Sequence, residues 1–226
     1  TAQVSRQQAR LHVDAATGND GNDGTSWDQA FATLTKALDT AFDGDEIWIA
    51  QGTYHPDEGP GVTAGDRTAS FTIPGAQDGL TIYGGFAGDE STLGERDPSA
   101  NPVVLSGNIG AASDSTDNSY TVVHLDGTSD PITRATRLDG LTIAGGTANG
   151  SEAQGDRAQQ GGGVFCNGNG GTCSPVLSTL RISDNSSVSW GAGLMIDGTG
   201  GDADPLITGA VIEGNRTTFE GGGLFV

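Results

Sequence analysis

The chain has 226 residues, 38 of them glycine, and its 29 Asp and Glu outnumber its 10 Lys and Arg to give a formal charge of −19. That balance excludes nucleic acid and anionic lipid as partners, because phosphate contacts need a cationic face. No apolar run approaches the roughly 18 residues of a membrane-spanning helix, and the glycines punctuate apolar runs instead of forming a low-complexity tract, so membrane insertion and disorder are both excluded as readings.

Taken in order, the chain begins at Thr1 without an initiator Met, as a cleaved signal peptide or a trimmed start would leave it. Leu11-His12-Val13-Asp14 predicts a short strand, followed by the loop Gly18-Asn19-Asp20-Gly21-Asn22-Asp23-Gly24. Trp27, Phe31, Leu34, Leu38 and Ala41 recur at spacings of four and three, which predicts an amphipathic helix over about 27–41 with Ser26 as N-cap and Asp28 in its first turn. Glu46-Ile47-Trp48-Ile49-Ala50 and Gln51-Gly52-Thr53-Tyr54 then read as strands. In the loop, Asp20, Asn22 and Asp23 offer oxygen donors to a calcium ion, although the spacing is neither that of an EF-hand nor of a toxin nonapeptide. Asx residues simply forming turns are the other reading.

From about residue 56 onward the sequence repeats. Gly161-Gly162-Gly163-Val164-Phe165-Cys166, Gly191-Ala192-Gly193-Leu194-Met195-Ile196 and Gly221-Gly222-Gly223-Leu224-Phe225-Val226 align at an interval of 30 residues. Leu180-Arg181-Ile182 with Asn185 matches Ala210-Val211-Ile212 with Asn215 at the same interval. Asp78-Gly79-Leu80-Thr81-Ile82-Tyr83-Gly84-Gly85 recurs as Asp139-Gly140-Leu141-Thr142-Ile143-Ala144-Gly145-Gly146, and Leu138, Leu141 and Ile143 map onto Leu177, Leu180 and Ile182 if 149–160 is a polar inserted loop. Units of this length that alternate apolar and polar residues cannot bury their apolar face alone, so they stack. The expectation is one all-β solenoid domain over 1–226. Within it, 1–55 holds the first strand, the capping helix and the first coil, and 56–226 holds successive coils.

Cys166 and Cys173 bracket a Gly-, Asn- and Thr-rich turn and read as a disulfide of an oxidising compartment, with a metal pair or two free thiols as rivals. Asn149, Asn185 and Asn215 each open an Asn-x-Ser/Thr triplet. The register stacks Asn185 over Asn215, so an internal amide ladder competes with glycosylation. The chain stops at Val226 in mid-coil; either it continues into further coils, or that end meets another copy in an end-to-end, filament-forming contact.

The stretch from Asn19-Asp20-Gly21 to Gly52-Thr53-Tyr54 resembles the N-terminal cap of right-handed parallel β-helix proteins of bacterial surfaces and of some polysaccharide lyases. Ile82-Tyr83-Gly84-Gly85-Phe86, Glu95-Arg96-Asp97-Pro98, Val104-Leu105-Ser106-Gly107 and Asn118-Ser119-Tyr120 resemble secreted bacterial members of that superfamily. The coils carrying Asn185 and Asn215 are similar to the repeats of polymorphic outer-membrane autotransporter passengers. The resemblance implies a right-handed parallel β-helix with an N-terminal amphipathic capping helix, secreted and displayed at a bacterial surface. It specifies activity poorly, since one scaffold carries lyases, hydrolases, adhesins and stalks.

A catalytic site on this scaffold needs carboxylates and a basic group converging from adjacent coils. In the clear repeats Asp184 faces Gly214 and Arg181 faces Val211, so no charged column persists. Asp197, Asp202 and Asp204 lie in a Gly-rich corner, and His12, His55 and His124 are scattered. The sequence therefore assigns no catalytic residue and requires no cofactor. It predicts a non-catalytic structural or adhesive surface module, with surface glycans or homotypic contacts as partners. A polysaccharide-binding or polysaccharide-degrading protein is the alternative, and 53–137 is where converging carboxylates would hide.

Overall fold

The computed structural model describes residues 7–151 and 156–226; residues 1–6 and positions 152–155 of the expected insertion lie outside the described residues. Strands of two to six residues alternate with sharp corners, and every strand pair is parallel. The first sheet stacks Arg10–Val13, Glu46–Ala50, Thr81–Phe86, Arg137–Asp139, Val176–Ser178 and Leu206–Thr208 in that order. The second stacks Gly52–Tyr54, Val103–Ser106, Thr142–Ala144, Arg181–Ser183 and Val211–Glu213. The third stacks Phe71–Pro74, Val123–Asp126, Val164–Asn167, Leu194–Asp197 and Leu224–Phe225. A short fourth sheet, Thr147–Ala148, Ser186–Ser187 and Arg216–Thr217, forms a step between the second and third in the later coils. The chain visits the sheets in rotation, once per coil, which is the path of a parallel β-helix.

Alternation supplies the core. Leu11, Ile47, Ile82, Leu138, Leu177 and Ile207 form one inward column across the first sheet. Tyr54, Leu105, Ile143, Ile182 and Ile212 form the next across the second. In the third sheet Phe71, Val123, Val164, Leu194 and Leu224 run beside Ile73, Leu125, Cys166 and Ile196. Each fully buried aliphatic side chain contributes about 1.5–3 kcal/mol relative to exposure, so the rows together outweigh any surface contact.

Two glycines per repeat answer different constraints. Gly161, Gly191 and Gly221 adopt φ of 64°, 56° and 68°, where a Cβ is strained. Gly163 and Gly193 have ordinary φ, but a Cβ there would come within 2.5 Å of the next coil's carbonyl oxygen and within 2.8 Å of an Asn185 or Asn215 amide nitrogen.

Two expectations need correction. The predicted helix over 27–41 is split into a 3-10 turn at Trp27–Gln29 and an α-helix at Leu34–Thr40. Between them Phe31 is drawn into pairing with the first strand, donating its N–H to the His12 carbonyl and accepting from Asp14 N–H, both at 2.9 Å. Thr33 caps the helix by accepting from Lys36 N–H at 3.2 Å, whereas Ser26 makes no side-chain cap. Leu34, Ala37 and Leu38 bury against Phe71–Pro74, the terminal strand of the third sheet, and against Arg10–Val13. The second correction concerns register. Ile82 pairs with Leu138, not Ile143, so the near-identical segments 78–85 and 139–146 lie at different corners of the coil. Both corners turn on a left-handed glycine, Gly79 at φ 84° and Gly140 at φ 72°, then bury Leu and Ile at alternate positions. The same local geometry calls for the same residues wherever it occurs.

Candidate functional site

The outward face of the third sheet carries the most chemistry. Val164 and Cys166 point into the core, so Phe165 and Asn167 face out. Register then places Thr72, His124, Phe165, Met195 and Phe225 in one outward row. Pro74, Asp126, Asn167 and Asp197 form a second row beside it. The strands that end in Asp126, Asn167 and Asp197 close on the same turn. Asp126 Oδ1 accepts from Thr128 N–H at 3.2 Å and from its hydroxyl at 2.7 Å. Asn167 Oδ1 accepts from Asn169 N–H at 3.2 Å, and Asp197 Oδ1 from Thr199 N–H at 2.9 Å. The second oxygen of each aspartate has no protein partner among the described residues.

Walls rise on the side where the chain enters these strands. Trp190 stands over the outward row, its ring 5.8 Å from Phe225 and 5.9 Å, edge-on, from Phe219. Phe219 is 59 % exposed. With Glu220 and Asp197 these rings line a cavity of about 500 Å³. A second cavity of about 450 Å³ continues along the sheet over His124, Phe165 and Asn167, walled by Asp156 and Arg157. Asn169 and Asp197 line both, so the two form one groove across the coils.

Arg157 comes from the inserted loop, where Asp156 caps the turn by accepting from Ala158 N–H at 2.9 Å. Its guanidinium donates to Ser70 Oγ at 2.6 Å and to the Thr68 carbonyl at 3.3 Å, pinning the loop across three coils. His124 stacks on Phe165 with centroids 5.7 Å apart and planes 12° off parallel. Burial, reinforced by the Arg157 charge and partly opposed by Asp126, pushes the His124 imidazole down to about 4. It is neutral at physiological pH, and its Nε2 is buried without a hydrogen-bond partner.

One further cluster joins acids and bases from neighbouring coils. Asp139 accepts from Arg96 at 2.6 Å and from Ser178 Oγ at 2.5 Å, and Arg137 donates to Ser178 Oγ at 2.8 Å. Arg96 also donates to the Gly84 carbonyl at 3.0 Å and lies over the Tyr83 ring. Asp139 is only 7 % exposed, and both its oxygens are engaged. This network clamps the loop carrying Arg96 onto the first sheet.

The residues singled out in the sequence fall elsewhere. Asp20 accepts from Ala32 N–H, Thr33 N–H and Thr33 Oγ at 2.9–3.0 Å. Asn22 donates to the Ala30 carbonyl, and Asp23 accepts from Thr25 N–H and Oγ. The three are spent on separate turns, and among the described residues no group of three or more His, Cys, Asp or Glu is gathered as a metal site. Cys166 and Cys173 are joined, Cα atoms 5.8 Å apart, linking an inward strand position to the following corner. Asn185 Nδ2 donates to Asn215 Oδ1 at 3.0 Å inside the coil. Asn149 lies outside that ladder, its Oδ1 accepting from Arg67 at 2.6 Å. The groove itself escaped the sequence reading. Its signal was the turn Asp126-Gly127-Thr128, Asn167-Gly168-Asn169 and Asp197-Gly198-Thr199, hidden because the inserted loop stretches the first interval beyond 30 residues.

The family model described as "Protein of unknown function (DUF1565)" matches residues 16–224. The chain belongs to that family. A search of curated proteins found no match. Among solved structures, a rhamnogalacturonan lyase is similar at 18 % identity and a TM-score of 0.45, over 96 % of this chain and 45 % of that one. A pectin methylesterase from Aspergillus niger is similar at 16 % identity and a TM-score of 0.38, over 97 % of this chain and 63 % of that one. This chain thus spans less than two thirds of either, and the fold rests on the sheet register above. Among the described residues no helix is long and apolar enough to cross a membrane.

Proposed function

We propose that this DUF1565 chain is a secreted, right-handed parallel β-helix that binds polysaccharide along the outer face of its third sheet. The observation that carries the reading is the pairing of an aromatic row with a turn-held polar row in one groove. Flat rings of Trp190, Phe219 and Phe225 suit the C–H faces of sugar rings, and carboxylates with a spare oxygen suit their hydroxyls. Parallel strands repeat these groups at roughly 4.8 Å, so a polymer lying across the coils meets equivalent contacts in succession. This reading takes up the alternative raised by the sequence, a polysaccharide-binding protein, in place of a purely structural or adhesive module. The disulfide agrees with an oxidising, extracellular setting.

Isothermal titration against a panel of soluble polysaccharides tests the reading. Trp190→Ala and Phe219→Ser are expected to weaken the best binder at least tenfold each, the scale of losing one well-packed aromatic anchor. Phe42→Ala, an exposed ring outside the groove, should leave affinity unchanged. Equal binding by all variants, with melting curves intact, would place the ligand elsewhere.

A second reading, hydrolysis, has one observation in its favour. Asp126 and Asp197 flank Asn167 in the same row, two strand spacings or roughly 9.6 Å apart at the backbone. That is near the upper end of the carboxylate separation that leaves room for an attacking water in inverting glycosidases. Release of reducing ends, abolished by Asp197→Asn, would establish it.

A further inference from the structure

We infer that the groove selects glycans bearing amino groups and discriminates against polyuronates. The inference rests on the polysaccharide-binding reading above and names its ligand class. Three carboxylates line the groove, Asp197 on the sheet, Asp156 on the inserted loop and Glu220 beside Trp190, and Asp126 stands in the same outward row as Asp197. Against them stands Arg157, whose guanidinium is already engaged by Ser70 Oγ and the Thr68 carbonyl. Its charge is further offset by Asp156 and Asp126. His124 adds no positive charge, being held neutral in its stack on Phe165. A polymer carrying one carboxylate per ring therefore meets a like-charged trough in a chain that is itself −19. An ammonium-bearing sugar meets the reverse. Its charge pairs with the spare oxygens of Asp126 and Asp197, and the same cation is attracted to the faces of Trp190 and Phe219. The aromatic row favours a sugar over a basic peptide, because a pyranose offers a flat C–H face to stack and a lysine side chain does not.

The test compares short oligosaccharides of one backbone, so that long-range attraction to an acidic protein is kept small. Glucosamine hexamer, its N-acetylated counterpart, oligogalacturonate and hexalysine are titrated into the full chain at low ionic strength and again at about 1 M salt. The glucosamine hexamer should bind at least tenfold tighter than the acetylated one at low salt, and the gap should close at high salt, where screening acts within about 3 Å. Oligogalacturonate should bind weakest of the sugars. Asp197→Asn should remove most of the preference, while Asp39→Asn, the same charge change on the capping helix, should not. Equal affinity for aminated and acetylated hexamers, or tighter binding of oligogalacturonate, overturns the inference and leaves the glycan groove standing. Hexalysine binding as tightly as the glucosamine hexamer, with the same dependence on Asp197, overturns it in favour of a basic peptide. If no sugar binds, both readings fall together.

Discussion

At the scale of single residues, two non-glycine positions stand in backbone conformations that the coil reserves for glycine. Thr179 has φ 52° and Asp184 φ 57°, while their counterparts one coil away, Gly140 and Gly209, and Gly145 and Gly214, lie between 60° and 78°. A β-branched side chain in that region is strained by about 1–2 kcal/mol. Thr179 is exposed, and among the described residues its side chain makes no hydrogen bond that offsets the strain. Thr179→Gly should therefore raise stability by about 0.5–1 kcal/mol, the relief of strain less glycine's extra unfolded-state entropy. Urea unfolding midpoints measure it directly, and a lower midpoint would show that the threonine is held by something other than its backbone. The Asp184 half of this pattern was legible without a structure, as an aspartate opposite Gly214 at the repeat interval. Its meaning was not, because sequence shows the mismatch and only φ shows the strain.

Among elements, the asparagine ladder ties three coils together through one side chain. Asn185 Oδ1 accepts from Gly146 N–H at 2.9 Å, and its amide nitrogen lies 3.0–3.1 Å from the Ile143 and Ser183 carbonyls and from Asn215 Oδ1. Asn215 reaches only the Ile182 carbonyl, at 2.8 Å, besides receiving the Asn185 side-chain and backbone N–H groups. Asn185 is 1 % exposed, so removing its amide strands buried backbone groups that water does not reach. Asn185→Ala should cost about 2–4 kcal/mol and Asn215→Ala about half as much, read from thermal melts of the two variants. Equal costs would mean that the ladder is not the source. The 30-residue spacing made this pair readable, since a strict interval fixes which residues stack. The same reasoning misplaced segment 78–85 against 139–146, because a shared corner geometry produces shared residues without shared position. The helix was also overread. Its apolar stripe was genuine, but Phe31 belongs to it as a strand partner of Val13, and periodicity alone does not distinguish the two.

For the whole molecule, the groove illustrates what the chain order conceals. Its members come from five separate stretches, brought into line by a register that only the assembled sheets define, and the inserted loop that supplies Arg157 also breaks the sequence interval that would have revealed it. The groove is also coupled to global stability through His124. Burial and the neighbouring Arg157 charge lower its folded-state affinity for a proton to about 4, whereas the unfolded chain binds one near 6.5. The unfolded state thus holds more protons between those values, and stability falls as pH drops from 6.5 toward 4. His12 is shifted in the same direction by burial and adds to the effect. The turn carboxylates whose affinity is lowered, Asp78 and Glu90 among them, lose their contribution as pH falls through their ordinary values of 3.8 and 4.5 and below. The window from pH 6.5 to about 5, above the ordinary range of those carboxylates, consequently isolates the histidines. His124→Phe keeps the stack on Phe165 and removes the titration, so it should lose less stability across that window than the unmodified chain. The difference is on the order of 1 kcal/mol after allowance for solvent screening. Urea denaturation at the two pH values decides it. Parallel losses in both proteins would show that the imidazole is solvated in the native state, and that the groove floor at His124 is open to water.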